Sequence, residues 1–95
     1  MFISILAHAG FPTQSPDAVY IASLLQNVIL EWSWGMADDI AWSIKELGVE
    51  RNLFASDLMD NTLTEQVKAA ECGLTEEELE WFLGKAAINV FKLPL

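Results

Sequence analysis

The chain has 95 residues, 53% of them hydrophobic, and a formal net charge of −9, which is enough for one small domain with a core. The acidic charge repels phosphate backbones and the five Lys and Arg residues form no patch, so we expect no nucleic-acid partner. The single cysteine excludes an intrachain disulfide, which fits a cytoplasmic location, and no apolar stretch is long enough to predict a membrane span.

Three short apolar runs predict β-strands in the first part of the chain. They are residues 2–7, 28–33 and 52–56, and each is apolar enough to be buried on both faces of a sheet. Helical patterns separate them, so the order over residues 1–57 is β-α-β-α-β. This alternation predicts an α/β fold with parallel strands joined by right-handed crossovers, the second strand lying between the other two.

The two helices between these strands have start and stop signals. Ser15 is a good N-cap and Pro16 suits the first helical position, and apolar residues then recur at helical spacing. The carboxylates of Asp38 and Asp39 favour the start of the second helix. Gly48 is a natural stop for it.

Residues 58–95 are predicted to form a helical tail. Together with residues 1–57 they are expected to form a single domain segment. Residues 62–65 and 75–78 both have the capping-box pattern, and Gly73 separates the two helices that they begin. A last short helix is predicted over residues 85–91.

One face of the predicted sheet has no obvious cover. The helices can cover one face, whereas side chains such as Ile5, Ile29 and Phe54 are expected on the other. Parallel sheets are normally covered on both faces and continued by further strands. We therefore expect that strands are missing from this chain or that another chain supplies them.

Polar residues follow the predicted strands, where the working residues of β/α proteins lie. His8, the single histidine, follows the first strand at a position suited to a metal ligand or general base. Asp57 follows the third strand, where its carboxylate would point into the mouth of a barrel. Glu31 and Trp32 end the second strand, and we take them as candidate substrate-binding residues.

Each of these residues also has a purely structural interpretation. A histidine at a strand end can serve only as a hydrogen-bonding group, and Asp57 can be a helix N-cap. Glu31 can lie where the strand already meets solvent, which avoids the cost of an unpaired buried carboxylate. The cluster formed by Trp32, Trp34 and Trp42 favours packing over a platform for a ligand.

Four stretches, in this order and spacing, resemble the end of the barrel in amidohydrolase-related enzymes. That family carries His-x-Gly after its sixth strand, and residues 6–10 here read LAHAG. Its seventh strand is similar to pNvyletS, and residues 27–33 read NVILEWS. Its eighth strand follows lG-x-x-r-ilfgSD, and residues 47–57 read LGVERNLFASD. Its ending, glteeE…ilggNaarlfgl, resembles residues 73–93.

The resemblance implies a TIM-type (β/α)8 barrel of which this chain forms the last part, with three strands equivalent to strands six to eight. His8 would be the sixth-strand histidine, which lies by the metal and assists in activating water or polarising the substrate. Asp57 would be the eighth-strand aspartate, a metal ligand and often the proton acceptor. The implied cofactor is a divalent metal, with zinc expected, which lowers the pKa of bound water.

The chain departs from the family pattern in its metal ligands and in its tail. The first-strand His-x-His and the ligands of the fourth or fifth strand are absent. Leu58 and Met59 stand where a proline usually follows, and Ala86 replaces the asparagine of the tail. Catalytic zinc normally has three protein ligands plus water, and His8 and Asp57 supply two at most, so we expect weak or no metal binding by this chain alone.

Two functions of different classes therefore stay open. The first is the C-terminal segment of a metal-dependent hydrolase, incomplete by itself, whose small-molecule substrate undergoes hydrolysis of a C–N or C–O bond, or decarboxylation. The second is a non-catalytic module, derived from a barrel, that self-associates through its uncovered face. A deaminase-like barrel is a third interpretation, based on a faint likeness of residues 60–65 to the tail of that group.

Overall fold

The computed structural model describes residues 2–95 as a three-stranded sheet with helices around it. The strands are β1 (Ser4–Leu6), β2 (Val28–Glu31) and β3 (Asn52–Leu53). The helices are α1 (Ser15–Leu24), α2 (Ala37–Leu47), α3 (Thr62–Ala70), α4 (Glu76–Glu80) and α5 (Ala86–Phe91), with a π-helical turn, Trp81–Lys85, between the last two. Short 3-10 turns cover Ala7–Gly10, Val49–Arg51 and Met59–Asn61.

The sheet has the predicted topology. All strand pairs are parallel, and β2 lies between β1 and β3. Ile5 of β1 is paired with Ile29, and Leu30 of β2 is paired with Asn52. The α/β class with three parallel strands is therefore confirmed, although the strands are shorter than their apolar runs suggest.

The start and stop signals of the first two helices act close to where they were predicted. Gln14, and not Ser15, is the N-cap of α1, so Ser15 is already helical and Pro16 takes the second position. In α2, Asp38 and Asp39 lie in the first turn, and the helix ends before Gly48. That glycine has a φ of 91°, a conformation that residues with a Cβ adopt with strain.

Arg51 fastens the segment before β3 to the turn before β2. Its guanidinium donates to the backbone carbonyls of Ala22, Leu25 and Val28 at 2.5–3.2 Å. A planar group with five N–H donors can serve several carbonyls at the end of a helix, which have no partner within the helix. Burial lowers the pKa of Arg51 by desolvation.

Of the two capping boxes predicted in the helical tail, one forms and the other does not. Thr75 and Glu78 form the predicted capping box at the start of α4. The capping box at Thr62 is wrong, because Thr62 is already helical and its hydroxyl bonds to Ser56 Oγ at 3.3 Å. The last helix predicted over residues 85–91 is confirmed as α5, Ala86–Phe91, and the π-helical turn joins it to α4 without a break in the helical backbone. Within residues 2–95, none of the helices has the length and apolarity needed to cross a bilayer.

Helices lie against both faces of the sheet. On one face, side chains of β2 pack against α1 and α2. Leu30 belongs to this cluster and is fully buried. On the other face, Ile29 and Leu53 pack with Ala86 of α5. The expectation of an uncovered face is therefore wrong for Ile29, because the tail folds back over β2 and β3. Ile5 of β1 remains 37% exposed.

Phe54 was expected on the same uncovered face and does not lie there. Successive side chains of a strand point to opposite faces, so Phe54 points away from Leu53 and joins the cluster that contains Leu30. Its ring meets Phe82 edge-on, with the ring centroids 5.8 Å apart. This contact fixes the π-helical turn against the end of β3.

Candidate functional site

The ends of the three parallel strands bring the candidate residues to one edge of the sheet. His8 lies in the 3-10 turn directly after β1, and Asp57 lies a few residues after β3. Ser33 and Trp34 follow β2, which separates the other two strands. Because the strands are parallel, all four residues follow carboxyl ends at the same edge, the place where barrel enzymes carry their working residues.

The backbone at this edge is strained. His8, Trp34 and Asp57 have φ values of 64°, 67° and 67°, and Ala9 beside His8 has a φ of 43°. Left-handed backbone costs a residue with a Cβ about 1–2 kcal/mol, and it is a genuine outlier for a bulky residue such as tryptophan. Among residues 2–95, the one other non-glycine residue with positive φ is Lys92, which ends α5. Strain is therefore concentrated at the three strand ends, as it commonly is at functional sites.

His8 is held by a buried hydrogen-bond network. Its Nδ1 lies 2.8 Å from Ser33 Oγ, and that hydroxyl lies 2.9 Å from Glu31 Oε1. Glu31 Oε2 accepts from the backbone N–H of Ser33. The His8 side chain is 41% exposed, whereas Ser33 is fully buried. The imidazole therefore has one nitrogen fixed in the protein, and the ring can meet a ligand from solvent.

Glu31 has a different position from the one expected of a substrate-binding residue. Both of its oxygens bond to Ser33, and Oε1 lies 4.0 Å from His8 Nδ1. Its side chain is only 15% exposed. The carboxylate thus stands behind His8 and supports the network.

Asp57 is held by the residue next to Ser33. Its Oδ2 accepts a hydrogen bond from the Trp34 indole Nε1 at 3.0 Å. The backbone N–H of Trp34 donates to Oε2 of the buried Glu65 at 3.3 Å. Two consecutive residues of the loop after β2 therefore hold the two predicted catalytic side chains, and no hydrogen bond joins His8 to Asp57 directly within residues 2–95.

A buried ion pair fastens α3 to the same loop. Glu65 and Lys68 are in contact, and their side chains are 4% and 16% exposed. Lys68 Nζ also donates to the carbonyl of Gly35 at 2.7 Å and to that of Trp32 at 3.3 Å. Glu65 accepts from Asn61 Nδ2 at 3.1 Å. Both charges are thus hydrogen-bonded, which a buried pair requires.

Trp32 belongs to the core and has no surface for a substrate in this structure. It is 1% exposed, and its indole Nε1 donates to Asn52 Oδ1 at 2.8 Å. The same Oδ1 accepts from Ser43 Oγ at 2.5 Å, and Asn52 Nδ2 donates to the Gly48 carbonyl at 2.8 Å. The network satisfies the polar atoms that the β2 and β3 side chains bring into the core.

His8 and Asp57 have the donor atoms of a metal site, but they fit only part of one. Within residues 2–95, no three His, Cys, Asp or Glu side chains are close enough to hold a metal ion. Each of the two residues is attached to a different side chain of the β2–α2 loop. The described residues therefore supply two candidate ligands at these strand ends, each held by its own hydrogen bond. Cys72 adds no ligand, since it is buried and desolvation raises the pKa of its thiol.

Ser33 and Trp34 were not among the predicted site residues, although the sequence carries a signal for Ser33. Side chains alternate along a strand, so Glu31 and Ser33 point to one side and Trp32 to the other. Pairing Glu31 with Trp32 as substrate-binding residues ignored this alternation. Nothing in the sequence marks Trp34 for a left-handed conformation, and its partners Glu65 and Asp57 lie more than 20 residues away in the chain.

Comparisons with protein families, with curated proteins and with solved structures found no match to this chain. Its function is therefore inferred from the geometry of the strand ends.

Proposed function

We propose that this chain is the C-terminal segment of a metal-dependent hydrolase related to the amidohydrolases, with β1, β2 and β3 as the last three strands of a TIM-type barrel. The observation that carries the proposal is that His8 and Asp57 lie at the same edge of a parallel sheet, each held by one of two consecutive residues, Ser33 and Trp34. A cytoplasmic location and a small-molecule substrate belong to the same proposal.

The proposed chemistry assigns a role to each side chain at the edge. The exposed imidazole of His8 accepts a proton or binds a metal, and Asp57 offers the carboxylate oxygen that Trp34 does not occupy. A divalent ion, when bound, supplies a polarising charge for the scissile group. Glu31 supports His8 through Ser33, and the buried Trp32 is assigned to the core and not to the substrate.

Zinc titration tests this proposal on the chain as it is. With two ligands of the three that catalytic zinc uses, we expect weak binding that dialysis removes, and no hydrolase turnover. His8→Ala and Asp57→Ala should each abolish the binding heat in calorimetry. Asp60→Ala is the matched control, because Asp60 is an exposed carboxylate in the same loop and should leave binding unchanged.

Two results would contradict the proposal. Zinc binding that survives both His8→Ala and Asp57→Ala would mean that the metal binds elsewhere. Stoichiometric zinc retained through dialysis, and lost in His8→Ala, would show that the chain already holds a complete site.

A second candidate function is self-association, and a specific observation favours it. β1 is an outer strand of the sheet, and within residues 2–95 its side facing away from β2 has no paired strand; we call this side the open edge. A groove of about 390 Å³ lies between β1 and α1. Asp17 is the single charged residue that lines this groove. The segment that includes β1 and α1 exposes the large apolar residues Phe2, Ile3, Ile5, Leu6, Phe11, Tyr20, Ile21, Leu24 and Leu25, of which Ile5, Leu6 and Ile21 line the groove. Contiguous exposed apolar surface of this kind marks interaction sites, and a lining with a single charge opposes association only weakly.

Backbone geometry at the open edge gives a sharp test of self-association. The Ser4 N–H donates to the Asn27 carbonyl, so the N–H of Ile5, the next residue, points to the open edge. Ile5→Pro removes that N–H and leaves the β1–β2 hydrogen bonds in place. Ile5→Ala is the control, because it removes most of the side chain but keeps the N–H.

We expect the chain to dimerise at micromolar concentration in sedimentation velocity. Relative to Ile5→Ala, Ile5→Pro should raise the dissociation constant of the dimer about fivefold for each intermolecular hydrogen bond lost, since one such bond is worth about 1 kcal/mol. A cooperative thermal melt checks that both variants fold. A compact monomer that binds no hydrophobic dye would contradict self-association.

A further inference from the structure

We propose that Ser33 and Glu31 hold His8 in the tautomer that carries its proton on Nδ1, which makes Nε2 the atom of this site that binds a metal or accepts a proton. The use of Nε2 rests on the proposed function. The tautomer rests only on the contacts of His8, Ser33 and Glu31. Ser33 and Glu31 are thus positioning residues, which touch no substrate and act through His8.

The positions of the protons follow from counting donors and acceptors. The Ser33 hydroxyl has one proton, and it lies between His8 Nδ1 at 2.8 Å and Glu31 Oε1 at 2.9 Å. As a carboxylate, Glu31 can only accept, so the hydroxyl proton has to point at Glu31. The Ser33 oxygen can then only accept from His8. Nδ1 therefore donates, and the neutral ring keeps its lone pair on Nε2.

Burial keeps this arrangement in place. Ser33 is fully buried and Glu31 is mostly buried, so water has little access to replace either partner. The second oxygen of Glu31 accepts a hydrogen bond from the backbone N–H of Ser33. This bond holds the carboxylate at the end of β2. His8 and Ala9 have left-handed backbone conformations, and the imidazole of His8 reaches Ser33, which follows β2. The network is thus built into the sheet edge.

A histidine with one ring N–H bonded inside the protein is the usual form of a metal-binding histidine. The inner hydrogen bond fixes the ring orientation and makes the outer nitrogen a better ligand. In this chain the inner partner is a serine, which relays the hydrogen bond to a carboxylate. The same arrangement prepares Nε2 to act as a general base.

Nitrogen-15 NMR of the imidazole tests the proposal without metal or substrate. His8 is the single histidine, so its two ring nitrogens need no further assignment among residues. At about pH 9, well above the reference histidine pKa of about 6.5, long-range proton–nitrogen correlation distinguishes the protonated nitrogen from the bare one. We expect Nδ1 to be protonated and Nε2 to be bare in the unmodified chain.

Two variants should change which nitrogen of His8 is protonated, each for a different reason. Ser33→Ala removes the acceptor of Nδ1, so the ring should return to the Nε2–H form that free imidazole side chains prefer. Glu31→Gln should reverse the tautomer of His8 while it keeps the shape of the side chain, because one oxygen is replaced by an NH2 group of similar size. The backbone N–H of Ser33 can only donate, so the amide oxygen has to accept it, and the amide NH2 then faces Ser33 Oγ. The Ser33 proton then has Nδ1 as its acceptor, and because a buried hydroxyl without an acceptor is costly, Nδ1 should be bare.

Ser56→Ala is the matched control, because Ser56 follows β3 and lies outside this network. It should leave the histidine spectrum unchanged, and the amide fingerprint of each variant shows that the chain is folded. An Nε2–H tautomer in the unmodified chain, or a tautomer that neither Ser33→Ala nor Glu31→Gln changes, would overturn the proposal. The expected tautomer without His8-dependent zinc binding would retain this inference and reject the proposed function.

Discussion

Replacement of Glu65 by alanine should destabilise the fold by about 3–5 kcal/mol, because removing one partner of a buried ion pair leaves the other charge unpaired. Lys68 would keep its bonds to the carbonyls of Gly35 and Trp32, but its charge would have no counterion. A domain of this size has a free energy of unfolding of about 5–15 kcal/mol, so the loss is a large part of the total.

Thermal and urea unfolding measure this effect. At roughly 4–8 °C for each kcal/mol in a small domain, Glu65→Ala should lower the Tm by more than about 10 °C. Glu71→Ala is the control, because Glu71 follows directly after α3 and is exposed, and surface substitutions usually change stability by less than about 0.5 kcal/mol. Equal melting temperatures for the two variants would mean that the ion pair contributes no more than a surface charge.

The same substitution reaches the candidate site through Trp34. Glu65 accepts the backbone N–H of Trp34, and the indole of that residue holds Asp57. Without Glu65, the left-handed conformation of Trp34 loses one of the contacts that offset its strain. The stability of α3 and the position of the Asp57 carboxylate are therefore coupled, although α3 carries none of the residues that the sequence marks as catalytic.

The parts of the fold that could be predicted depend on local signals. The parallel order of the strands follows from β-α alternation, and the end of α2 follows from Gly48. The capping box of Thr75 forms because its partner, Glu78, lies three residues away in the same helix. Each of these features is determined by residues close together in the chain, and the sequence shows them directly.

The parts that could not be predicted depend on residues far apart in the chain. Thr62 and Glu65 have the same capping pattern as Thr75 and Glu78, but Glu65 is drawn into the ion pair and the contact with Trp34. The cover of Ile29 comes from Ala86 of α5. No local pattern shows such tertiary contacts, and they override the local preference of the sequence.

The candidate site divides in the same way. The position of His8 and Asp57 at one sheet edge follows from strand ends, which the sequence locates. The partners of these residues, Ser33 and Trp34, depend on the loop after β2 being held by α3. Strand ends are thus easier to predict from sequence than the hydrogen bonds that orient the side chains there.

The second large effect is expected at Asn52, whose amide joins the residue after β2, helix α2 and the turn before β3. It is fully buried, and Asn52→Ala leaves the indole N–H of Trp32, the hydroxyl of Ser43 and the carbonyl of Gly48 without this partner. Each buried polar group left unsatisfied costs about 1–3 kcal/mol, so the variant should lose more than about 3 kcal/mol of unfolding free energy.

Urea unfolding followed by tryptophan fluorescence suits this test, because Trp32 loses its hydrogen bond and packs directly against the altered residue. Asn27→Ala is the matched control, since within residues 2–95 the Asn27 side chain makes one hydrogen bond, to the carbonyl of Phe2 at the surface. That variant should change stability by less than about 0.5 kcal/mol. An Asn52→Ala variant as stable as Asn27→Ala would mean that water or a shifted side chain satisfies the three groups. In that case the polar network would not be what holds Trp32 in the core and away from the edge where His8 and Asp57 lie.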